Sequence, residues 1–70
     1  MILVFKTSVD DRNQAMQLKP SLDKLLAKNS KWNFDLSDCD KILRVDCPEN
    51  ISPLIIHTLN TYGFDCAELD

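Results

Sequence analysis

Between residues 31 and 47 this 70-residue chain alternates apolar and polar side chains twice, which restricts it to folds that contain an antiparallel hairpin. Lys31–Leu36 puts Trp32, Phe34 and Leu36 on one face and Lys31, Asn33 and Asp35 on the other. Ser37-Asp38-Cys39-Asp40 is turn chemistry, because short polar side chains hydrogen-bond their own backbone and tolerate tight bends. Lys41–Cys47 alternates again, with Leu43 and Val45 on the apolar side. A two-residue period sorts side chains to opposite faces only on a strand, so one face of this hairpin must meet a core.

The flanking segments supply that core. Met1–Thr7 is an apolar run rich in β-formers, bounded by Ser and Asp, and reads as a central strand. From about Arg12 to Asn29, Ala15, Leu18, Leu22 and Leu25 recur at helical steps. Asp10 or Asp11 suits the N-cap, Lys24 and Lys28 suit the C-terminal end, and Pro20 is expected to kink the helix. Ser52-Pro53 reads as the N-cap and first turn of a second helix with the stripe Ile55, Leu59 and Tyr62, ended by Gly63 as a left-handed cap. Phe64–Leu69 completes a short last strand. The order β-α-β-β-α-β predicts an α+β, ferredoxin-like domain. Its four-stranded antiparallel sheet has order 4-1-3-2, with both helices on one face.

Residues 1–70 leave room for one domain, and a domain this short depends on a well-packed core. With 44% hydrophobic residues, one Gly and three Pro, the composition provides that core and argues against disorder. The net charge of −3 and the absence of a Lys/Arg run exclude a phosphate-binding surface, so nucleic acid is not an expected partner. The apolar start has no basic leader, and no stretch approaches the ~20 residues a membrane span requires. The expectation is a cytoplasmic protein whose three cysteines stay reduced.

In its core pattern, nearly the whole chain resembles the heavy-metal-associated domains, the small copper- and zinc-chaperone-like modules. The likeness lies in the Phe5–Leu22 entry, the Trp32–Val45 hairpin and the ending Ile55-Ile56-x-x-Leu59-x-x-x-Gly63-Phe64. The family's functional motif is Cys-x-x-Cys at the junction of the first strand and helix. Aligning Leu18, Leu22 and Leu25 with the family's helix stripe puts Asp11 and Gln14 on the cysteine positions. Soft ions such as Cu(I) need polarizable thiolates, whereas Asp11 offers a hard oxygen and Gln14 a neutral amide.

The cysteines present do not rebuild that grip. Cys39, in the hairpin turn, and Cys47, at the end of the following strand, stand roughly 26 Å apart at ~3.3 Å per residue, too far for a shared ion or a disulfide. Cys47 and Cys66 read as packing residues and His57 as a solvent-facing side chain. No Cys or Ser has a His partner and no carboxylate pair marks a cleft, so an enzyme is not expected. The fold should gather Asp10, Asp11, Asp38, Asp40 and Asp65 at one pole, beside Ser37 and Cys39. Each Asp is explained separately by its preference for turns and caps, and together they make a negative patch.

The resulting expectation is a non-enzymatic interaction module without a cofactor. It would dock a partner with a basic surface through that pole or the open sheet, as a monomer or as a weak homodimer through Ile2 or Leu3 with Ile42. The alternative is a metal-binding protein in metal homeostasis. It would hold a divalent cation such as zinc through Asp11, Gln14 or Cys39 and neighbouring carboxylates.

Overall fold

The structure, a computed structural model, describes residues 1–26, 30–36 and 41–69. Its elements are β1 (Ile2–Thr7), α1 (Arg12–Leu25), β2 (Lys31–Asp35), β3 (Ile42–Asp46), α2 (Ser52–Thr61) and β4 (Cys66–Leu69). The sheet is antiparallel with order β2-β3-β1-β4, the expected 4-1-3-2 arrangement read from its other edge. The chain has the ferredoxin-like α+β fold.

The hairpin pairs as its alternation requires. Trp32 lies opposite Val45 and Phe34 opposite Leu43, with the two aromatic rings in edge-to-face contact at 5.8 Å. Leu3 and Phe5 of β1 face the same side as Leu43 and Val45 and meet Leu18 and Leu22 of α1 and Ile55 and Leu59 of α2. Phe5, Leu18, Leu22, Leu43, Ile55 and Leu59 are completely buried. Burying one such side chain contributes about 1.5–3 kcal/mol, so in a domain of this size a single truncation such as Leu22→Ala threatens the fold.

Several details depart from the sequence reading. Helix α1 ends at Leu25, short of the expected Asn29, because the backbone turns at Leu26 and buries that side chain. Helix α1 runs unbroken through Pro20, which is exposed, so the carbonyl that loses its donor lies on the solvent side of the helix. Helix α2 is capped at Ile51 instead of Ser52, with no side-chain cap from Ile51 itself. The Asn50 carboxamide accepts from the Ser52 N–H at 3.0 Å in its place. Tyr62, expected in the apolar stripe, is exposed and bonds Ser21 on α1. Gly63 does end α2 with φ +87°. Its N–H donates to Asn60 O at 2.9 Å and that of Phe64 to Leu59 O at 3.0 Å, the paired bonds of a Schellman motif.

The open face of the sheet also differs from expectation. Leu3 points into the core and Ile42, though on the open side, is 7% exposed, so neither is available to a partner. Ile2 is 56% and Leu69 40% exposed, and the half-buried Val4 lies directly opposite Leu69.

Candidate functional site

The junction of β1 and α1 is closed by Asp11 and Gln14. Asp11 is the N-cap, in extended conformation, and its Oδ1 accepts from the Gln14 N–H at 2.8 Å. Gln14 Oε1 in turn accepts from the Asp10 N–H at 2.7 Å. The first helical bond runs from Ala15 N–H to Asp11 O at 3.1 Å. This is a reciprocal capping arrangement, which satisfies amides that a helix start otherwise leaves without partners. The Asp-x-x-Gln spacing in the sequence is the signal for this cap.

A junction built this way does not fit a soft-metal grip. Its oxygens are hard donors, and one from each side chain already holds a backbone amide. Cys39 lies outside the described residues. Among the described residues, no group of three His, Cys, Asp or Glu side chains converges on one point.

Neither of the two described thiols is set up as a nucleophile. Cys47 is buried and its thiol donates to Glu49 O at 3.0 Å. Cys66 is half-buried on the short edge strand β4, and that burial pushes its thiol up to about 11. A higher pKa lowers the thiolate fraction, the opposite of what a nucleophilic cysteine needs. His57 is exposed, as expected.

The pole expected at the end of β1 is stitched together by backbone and hydroxyl bonds. Ser8 N–H donates to Asp65 O at 3.1 Å, and Asp65 N–H donates to Ser8 Oγ at 2.8 Å, tying the exit of α2 to the exit of β1. Thr7 donates to Lys41 O from its N–H at 3.1 Å and from its hydroxyl at 2.7 Å, tying in the start of β3. Asp10, Asp11 and Asp65 are exposed at this end, beside Arg12 and Lys41. Asp38 and Asp40 lie outside the described residues. A cleft of about 450 Å³ opens here between Thr7, Ser8, Asn60, Asp65 and Cys66.

The open face of the sheet divides into two unlike halves. Over β2 and β3 it carries Lys31, Asn33, Asp35, Arg44 and Asp46 with the buried Ile42; over β1 and β4 it carries Ile2, Val4, Ala67 and Leu69, with Lys6 opposite Ala67. Among the described residues no helix is long and apolar enough to cross a membrane. No family model matches this chain, and no curated protein or solved structure shows significant similarity to it.

Proposed function

We propose that this chain is a non-enzymatic protein-interaction module, built on the plan of heavy-metal-associated domains but without their thiolate site. The carrying observation is the apolar strip formed by exposed Ile2 and Leu69 around half-buried Val4, on an uncovered sheet face whose other side chains are mostly polar or charged. Water-exposed apolar side chains grouped in this way mark contact surfaces more often than isolated ones do. The module takes a protein partner that lays apolar side chains over this strip and presents basic groups to the carboxylates Asp10, Asp11 and Asp65.

The test is affinity capture of a partner, followed by binding measurements on the purified pair. Ile2→Glu or Leu69→Glu is expected to abolish binding at an unchanged melting temperature, and Asp10→Lys with Asp65→Lys to weaken it. A purified partner that binds the sheet-face variants as tightly as the parent protein would refute the reading. So would micromolar binding of Zn(II) that is lost in Asp11→Ala.

A further inference from the structure

On the far side of the molecule from the open sheet, α1 and α2 leave a groove of about 510 Å³ between their outer surfaces. Ser21, Lys24 and Leu25 recur at helical steps along α1, and His57, Thr61 and Tyr62 face them from α2. One end is closed by the hydrogen bond between Ser21 Oγ and the Tyr62 hydroxyl, 2.5 Å long. The Thr61 hydroxyl donates to His57 O at 2.8 Å, so its proton already has a partner within the helix. The Thr58 hydroxyl likewise donates within the helix, to Leu54 O at 2.8 Å, which leaves apolar surface from Leu25 and Tyr62 and two basic side chains, Lys24 and His57.

The charge of this lining runs against that of the chain. The protein has eleven acidic and eight basic residues, yet no carboxylate among the described residues lines the groove. The neighbouring acid on α1, Asp23, is turned to other work. It accepts from Trp32 Nε1 at 2.9 Å and from Lys19 Nζ at 2.7 Å. No described carboxylate bonds Lys24 or His57 in its place. A concave apolar surface of a few hundred Å³ with a small number of polar groups at one end is the general form of a small-molecule site.

From this we infer that the groove between α1 and α2 binds a small amphipathic carboxylate. Its aromatic or aliphatic body lies against Leu25 and Tyr62, and its carboxylate lies between Lys24 and His57. Lys24 is the main charge partner, and the His57 ring supplies an N–H in either protonation state. The groove is open to water and the C-terminal dipole of α1 competes for Lys24, so binding is weak, with Kd on the order of 1 mM for a ligand of ~13 heavy atoms. The site is independent of the sheet-face contact and stands or falls separately from it.

The experiment is an amide-resolved NMR titration of the whole chain with 2-naphthoate and, separately, with 2-naphthol, which keeps the ring system and lacks the carboxylate. Saturable shifts are expected at Lys24, Leu25, His57 and Thr61, with the acid bound about fivefold more tightly than the alcohol. Lys24→Gln, an exposed substitution that leaves the core intact, should reduce the acid to the level of the alcohol. His57→Ala should weaken the acid alone. Equal affinity for the two compounds, indifference to Lys24→Gln, or shifts confined to the open sheet would each overturn the assignment.

Discussion

The two helices of this protein solve the problem of their ends in opposite ways. Helix α1 begins well: Asp11 and Gln14 close its first turn with two side-chain bonds in open solvent. It then carries Pro20 within its length and stops at Leu26 without a glycine. Helix α2 begins poorly, with Ile51 as a cap that offers no side-chain oxygen and with the Ser52 hydroxyl buried and unpartnered among the described residues. Its interior is unbroken, and it ends in the Schellman bonds around Gly63. The exposed start needs polar caps because nothing else orders it. The buried start is held by packing of Ile51 and Ile55 and by the backbone bonds that Ile51 O accepts from Leu54 and Ile55.

The difference is broken most severely at Ser52. An acidic residue at a helix start ordinarily stabilises by up to about 1 kcal/mol. Ser52 is 4% exposed, so Ser52→Asp forces a charge into the core and is expected to cost about 3 kcal/mol or more in urea unfolding. Ser52→Ala removes a hydroxyl that has no partner and should be neutral or slightly stabilising. A tolerated aspartate at 52 would show that the serine is a working cap after all.

The next effect has the opposite sign. Pro20→Ala returns an N–H to the middle of α1 on its exposed face, and is expected to raise stability by about 1–2 kcal/mol. The gain is partly offset by the greater freedom of the unfolded chain. A fall in the urea midpoint would mean that the proline sets a bend on which the packing of α1 depends.

The two good ends should cost less to remove. Gly63→Ala places a Cβ where nothing lies within 4 Å, so its cost is the left-handed conformation alone, about 1–2 kcal/mol. Asp11→Ala should cost about 1 kcal/mol. A double-mutant cycle of Asp11→Ala with Gln14→Ala tests whether the two caps are coupled; additive losses would show that they act separately.

These four ends also explain what the sequence made legible. Asp11 and Gly63 were identifiable because their chemistry is local: an Asx side chain and a positive φ are needed at one position each. The true end of α1 was not, since Leu25 and Leu26 both fit an apolar stripe, and only the assembled core shows that Leu26 turns inward. At α2 the Ser-Pro pair fits a cap followed by a first turn as well as the first two turn positions, and the burial of Ser52 decides between them. The strand order followed from the alternation and the element sequence. Of the candidate site, the junction was visible in position, and the Asp-x-x-Gln spacing carries the signal of its reciprocal bonding. The groove was not visible at all, because its walls meet across 41 residues of sequence at Ser21 and Tyr62.

The smallest effect lies on the exposed face of α1, where Asp23 joins the helix to the hairpin. The hydrogen bond from Lys19, then that from Trp32, holds its carboxyl below the ordinary value of 3.8. A folded-state pKa below the unfolded one adds stability above the unfolded value, and that stability is lost as pH falls through the folded value. Wild type should therefore exceed Asp23→Asn in stability by a small margin at pH 6, and the margin should shrink below about pH 4. Because Trp32 is the chain's single tryptophan, its fluorescence reports the same step directly. Protonation of Asp23 weakens its hold on the indole N–H, so the emission should change over that acid range in the native protein and stay flat in Asp23→Asn. A wild-type signal that is also flat would show that the Trp32 bond does not depend on the charge of Asp23, leaving edge-to-face packing on Phe34 to fix the ring.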